Sequence, residues 1–188
     1  NHMAGVLERR QEGEEMRTET TTRILYTFEE LTEDQKDKAI DNLGEINVDH
    51  EWWDAVYEDA ENIGLKITSF DIDRGSYAKG KFILSAHEVA QNIINNHGEM
   101  CETYKTAENF MEKHEPVFAE YMDEKSEKYE SRESEEELME IEEEFLKSLL
   151  EDYRIILSKD YDYLTSREAI IESIEANEYE FDENGKLA

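Results

Sequence analysis

Carboxylates dominate the chemistry open to this chain. Between Glu120 and Glu144 stand 13 acids against Lys125, Lys128 and Arg132, a local charge of −10 over 25 residues. On a helix, residues four apart lie about 6 Å apart along the axis. Glu136, Glu140 and Glu144 would then form a row with about twice the axial step of phosphates along one nucleic-acid strand, roughly 3.4 Å. Two readings follow for Glu133, Glu136, Glu137, Glu140, Glu143 and Glu144: a solvated helix face, or a nucleic-acid mimic that occupies a basic groove on a protein partner. The whole-chain charge of −30 adds weight to the second.

Other reactive groupings fall short of what their chemistry needs. Asp71-x-Asp73-x-Gly75 opens like a calcium loop, yet the glycine comes one position early, and Phe82 stands where a bidentate Glu is required. The histidines His50, His87, His97 and His114 form no His-Glu-x-x-His and no Glu-x-x-His, the spacings that put ligands on one helical face. Cys101, the only cysteine, sits between Glu99 and Glu102, whose charge raises a thiol pKa and blunts it, although His97 is four residues away. A phosphate-cradling glycine loop and Gly-x-Ser-x-Gly are also missing. The expectation is a binding protein, not an enzyme, with no cofactor and no metal.

Adjacent Trp52 and Trp53 would point about 100° apart on a helix. Both can roof a core, or Trp52 can serve as an exposed anchor for a partner. Arg74, Lys79 and Lys81 are the only local basic concentration in the folded part; they could touch RNA held by a partner, but pairing with the protein's own acidic helix is the expected role.

The elements that must position these groups are legible in outline. Leu, Ile, Val and Phe supply 40 of 188 residues and ten Tyr add to them, enough for a folded core beneath an anionic coat. That coat opposes direct binding of nucleic acid and of anionic membranes. No apolar run is long enough to span a bilayer. A single cysteine fits a reducing cytoplasm.

Asn1-His2-Met3 has the look of a tag remnant, and residues 1–16 read as a tag or disordered extension, with Met3 and Met16 as alternative starts. Residues 17–188 read as one α+β domain with an acidic helical region around 120–164. A strand is predicted over Thr18–Phe28, then a helix from Glu33 to about Glu45 opened by the Thr32/Gln35 capping box. Asp49 is expected to cap a second helix that ends at Gly64. A hairpin follows, with Leu65–Asp73 as one strand, turn residues over Arg74–Gly80 and Lys81–Leu84 as the other. Ser85 opens the next helix, and Pro116 is placed in the first turn of a new one. Ser134/Glu137 and Thr165/Glu168 supply two further capping boxes, and Tyr179 and Phe181 suggest a last strand. The fold class is α+β: a small mixed or antiparallel sheet of about three to four strands covered by helices, with a helix-rich C-terminal half.

The segments Phe28-x-Glu30-Leu31-Thr32-Glu33, Glu51-Trp52-Trp53-Asp54, Tyr57-Glu58-Asp59-Ala60, Ile67-Thr68-Ser69-Phe70-Asp71-x-Asp73-Arg74-Gly75 and Ile174-Glu175-Ala176-Asn177-Glu178-Tyr179 together resemble a family of small acidic proteins from bacteriophages and mobile elements. The likeness runs from Thr22 to Leu187. Members of that family are mostly uncharacterised and loosely labelled antitoxin-like, so the resemblance implies a phage or mobile-element setting in a bacterial cytoplasm and brings no catalytic residue. Acidic phage proteins of this size include inhibitors of CRISPR and restriction nucleases. The functional expectation is therefore an inhibitor that fills the basic groove of such a host defence complex. An antitoxin-like or regulatory protein that neutralises one basic partner is the alternative.

Overall fold

The computed structural model describes residues 23–188; the expected N-terminal extension, and the Thr18–Thr22 part of the first strand, lie outside them. The chain is α+β. The described residues hold six helices and four short strands, and the strands form two antiparallel ladders of two.

Among the described residues, strand β1 covers only Tyr26–Thr27 of the predicted strand, leaving out Arg23–Leu25 and Phe28. The Glu30 carboxylate accepts the Thr27 N–H at 2.9 Å and turns the chain into a 3-10 turn over Phe28–Glu30. Helix α1 (Glu33–Asn42) starts on the predicted Thr32/Gln35 box. Helix α2 (Asp54–Ile63) starts later than predicted. Asp49 does not cap it: its Oδ1 lies 3.3 Å from His50 Nδ1, and the chain turns from Glu45 to Trp53 before winding up. Gly64 closes α2 at φ +97°, the left-handed conformation that glycine adopts without strain.

Strands β2 (Leu65–Asp71) and β3 (Tyr77–Phe82) form the hairpin, with a bulge between Ile67 and Ser69. The second strand begins earlier than predicted, because Tyr77, Ala78 and Lys79 pair with Asp71, Phe70 and Ser69. At Gly80 an added Cβ would lie 2.5 Å from the Lys66 carbonyl oxygen and 3.0 Å from Leu150 Cδ2. Gly80→Ala is therefore expected to destabilise the fold by about 1–3 kcal/mol, the usual range for overpacking, measurable as a lowered urea midpoint. An unchanged midpoint would mean that the two strands and the Leu150 side chain make room for the methyl group at little cost.

Helix α3 (Ala86–Asn96) begins on a Ser85/Glu88 capping box. Helix α4 (Glu102–Met122) contains Pro116 in its interior, so Pro116 does not open a new helix. Its missing N–H frees the carbonyl of Glu112, a residue on the exposed side where water can accept the loss. Helix α5 (Arg132–Leu164) has 33 residues and spans about 50 Å. Its cap is Ser131, whose hydroxyl accepts the Ser134 N–H at 3.2 Å; Ser134, the predicted cap, is buried one turn inside. Helix α6 (Arg167–Ala176) is capped by Ser166 in place of Thr165, whose hydroxyl donates back to the Tyr161 carbonyl. Strand β4 (Glu180–Phe181) pairs with β1.

Two apolar clusters organise these elements. The larger joins α2, the hairpin, α3, α4 and α5 through Ile63, Leu65, Val89, Ile93, Phe110, Phe145, Leu149 and Leu157. The smaller gathers Phe28, Leu31, Ile40, Ile170, Ile174 and Phe181 beside the β1/β4 ladder. No helix among the described residues is long and apolar enough to cross a membrane.

Candidate functional site

The apolar stripe of α5 decides where its carboxylates point. Ser134, Leu138, Phe145 and Leu149 are buried, and at about 100° per residue Glu133, Glu136, Glu137, Glu140, Glu143 and Glu144 fall within an arc of about 120° on the opposite side. All six are exposed. They occupy three turns, about 16 Å of axis. Arg132 pairs with Glu136 at 2.8 Å and Lys113 with Glu144 at 3.1 Å. Glu133, Glu137, Glu140 and Glu143 have no cation within 4 Å among the described residues. Three like-charge pairs at four-residue spacing (Glu133/Glu137, Glu136/Glu140 and Glu140/Glu144) each oppose the helix by about 0.2–0.5 kcal/mol. Core packing on the far side holds the row together against this repulsion.

Trp52 lies away from the row. It is half-buried, with ring centroids 5.7 Å from Trp53, Phe70 and Tyr161, so it roofs the end of the larger cluster. The exposed-anchor reading loses its premise there. The hairpin cations also differ from expectation, for Arg74, Lys79 and Lys81 make no ion pair with the acidic helix among the described residues. The reason is the pleat: α5 packs on the hairpin's inner side, through Leu150 over Gly80 and Phe145 near Phe82, while Lys79 and Lys81 project outward. Asp71 Oδ1 accepts the Asp73 N–H at 2.8 Å and shapes the turn.

A second polar grouping was not legible beforehand. Helices α2, α3, α4 and α5 converge on a cleft of about 540 Å³ lined by Asp59, His97, Cys101, Thr103, Asp152 and Lys159, with an apolar side of Met100, Ile155 and Ile156. Buried Tyr153 donates to Asp59 Oδ2 at 2.7 Å; Asp59 Oδ1 lies 3.6 Å from His97 Nε2, and His97 Nδ1 is 2.7 Å from the Thr103 hydroxyl. Burial and the neighbouring Asp59 carboxylate push the Tyr153 phenol pKa far up, so it stays a donor. This order of hydroxyl, imidazole and carboxylate has the types of a nucleophilic relay, but Thr103 is only 2% exposed and its oxygen is engaged by His97. The imidazole is thereby committed to Thr103 and Asp59, and exposed Cys101 has no such bond to it. These residues come from positions six to 94 apart, and local spacing carries no signal for them.

One buried titratable group sits beneath the acidic row. His114 is 4% exposed, stacked between Phe110 and Phe118 at 4.8 and 5.5 Å, with His87 at 6.1 Å. Its Nδ1 has no hydrogen-bond partner among the described residues, and Nε2 lies 3.6 Å from Glu142 Oε1. Burial pushes its pKa below the ordinary imidazole value, Glu142 and Glu115 pull it back, and His87 adds to the depression. Because the folded pKa is lowered, the unfolded chain takes up this proton first. The stability tied to neutral His114 is complete above the ordinary value of about 6.5 and drains as pH falls toward the folded pKa. The melting temperature should therefore drop as pH falls below about 6.5, and His114→Phe should flatten that drop. An equal drop in the variant would locate the acid sensitivity elsewhere.

A comparison with known protein families, with curated proteins and with solved structures returns no match.

Proposed function

We propose that this chain is an acidic inhibitor that seats its α5 carboxylate row in the basic groove of a nucleic-acid-binding defence complex, such as a CRISPR nuclease or a restriction enzyme, and so keeps nucleic acid out. The observation that carries the reading is the arc of six exposed glutamates on a helix whose other side is locked into the core. A rigid row needs little ordering when it binds, and each carboxylate can replace a phosphate oxygen toward Lys or Arg. Two or three turns of such a helix offer anionic groups at about 6 Å steps, near every second phosphate of a strand. The net charge of −30 steers the chain toward basic surfaces at long range and away from nucleic acid itself. In this reading the protein acts in a bacterial cytoplasm, in a phage or mobile-element context, as a stoichiometric binder.

Competition tests it. With labelled duplex DNA and a panel of CRISPR and restriction nucleases at about 0.1 M salt, where screening extends over about 10 Å, the chain should displace DNA from at least one of them. It should do so to a stoichiometric end point, and less well as salt rises. Alone it should retain neither DNA nor RNA on gel filtration. Tight binding of free nucleic acid by the isolated chain, or no displacement across the panel, would sink the proposal. Turnover, with one molecule inactivating many nuclease molecules, would replace it with an enzymatic reading.

A further inference from the structure

The cleft between α2, α3, α4 and α5 has no part in that function, and its lining selects for one kind of ligand. Asp152 is half-buried, its Oδ2 accepts the Thr106 hydroxyl at 2.6 Å, and it has no cation within 4 Å among the described residues. Glu102 at the rim is engaged by Lys105 at 2.7 Å, and Asp59 presents a half-exposed carboxylate on the other side. Lys159 is the sole cationic side chain of the lining and is exposed. Beside these acids run Ile155 and Ile156, both partly buried, and Met100, 87% exposed.

We propose that this cleft binds an alkyl chain ending in a guanidinium or ammonium group, with the stem along Ile155 and Ile156 and the cation between Asp152 and Asp59. An apolar ligand would dehydrate Asp152 and leave it uncompensated, and an anion would be repelled by three carboxylates. A cation on an apolar stem satisfies both halves of the lining, as buried Lys and Arg side chains do when their stems lie on apolar surface. Burial holds the Asp152 carboxyl above its usual range, with the Thr106 hydroxyl partly offsetting this, and a cation beside it would offset more of the cost of burying its charge. The proposal stands apart from the α5 row, which ends eight residues, about 12 Å of axis, before Asp152.

The test is amide NMR on the ¹⁵N-labelled full chain, titrated separately with n-butylguanidinium, spermidine, an end-blocked Gly-Arg-Gly peptide, stemless guanidinium and butyrate. Saturable shifts confined to Thr103, Asp152, Ile155 and Ile156 are expected with n-butylguanidinium, weakened about tenfold by Asp152→Asn, as loss of one charge-assisted contact implies. Lys159→Glu, at an exposed position that folding tolerates, should strengthen binding severalfold. Binding of spermidine but not of the peptide identifies free amines as the source, and binding of the peptide identifies a basic side chain of a docked protein. Equal shifts with butyrate, shifts spread over the acidic face that stemless guanidinium reproduces, or an affinity indifferent to both variants would overturn the proposal.

Discussion

Reversing Glu137 and Glu140 to Lys together should weaken displacement of DNA from the partner nuclease by more than about tenfold at low salt while the melting temperature holds or rises. Neither residue has a cation partner among the described residues, and both lie near the middle of the row along the helix axis. Each reversal removes one attraction to a basic groove and adds one repulsion, so about 0.7 kcal/mol per site suffices for tenfold. Within the helix the same change turns the repulsive Glu133/Glu137, Glu136/Glu140 and Glu140/Glu144 pairs into attractive ones. A stability gain joined to a binding loss is what distinguishes a row kept for a partner. Unchanged displacement at about 0.1 M salt would return the row to a solvated face, whatever the melting temperature does.

Phe145→Ala should have the opposite signature. Phe145 follows Glu144 in sequence, yet it is 3% exposed and lies on Phe110 at 4.3 Å between nearly parallel rings, with Phe82 at 5.4 Å. One side chain thus joins α4, β3 and α5. Truncation removes about 3–5 kcal/mol, a large part of the roughly 5–15 kcal/mol that a folded domain has. For a chain of this size that is on the order of 10 °C in melting temperature. Calorimetry or circular dichroism reads it, with Met139→Ala, 56% exposed on the same helix, expected to shift stability by less than about 1 kcal/mol. Equal effects at the two positions would mean that α5 is not anchored through its apolar stripe, and the rigidity argued for the acidic row would fail with it.

The sequence stated those local features whose physics is local. The Thr32/Gln35 capping box and Ser85 each act within four residues, and both start helices where they were expected. Gly64 ends α2 because its tolerance of positive φ is a property of that residue alone. Leu138, Phe145, Leu149, Tyr153 and Leu157 recur in the sequence at helical spacing and form the buried side of α5, so the carboxylates of the row face out, since side chains of a helix return to one face every 3.6 residues. Two caps fell elsewhere than expected, because periodicity does not fix the first residue of a helix. Ser131 displaced Ser134, and Ser166 displaced Thr165, by one turn or less.

Tertiary structure decided whatever depends on which distant groups share a neighbourhood. Nothing within Tyr26–Thr27 specifies Glu180–Phe181 as its partner; the ladder forms because Phe28 and Phe181 enter one apolar cluster. Trp52 found Tyr161, and Lys79 and Lys81 were turned away from α5 by the hairpin's inner face. Asp59, Thr103 and Asp152 each look like ordinary surface helix residues until four helices close around them. Composition and short-range periodicity determined the α+β class and the outward carboxylate row, because charge and helical phase are properties of consecutive residues. The cleft, the buried histidine and the outward-facing hairpin cations were decided only when burial and pairing were settled between elements, because those depend on the path of the whole chain.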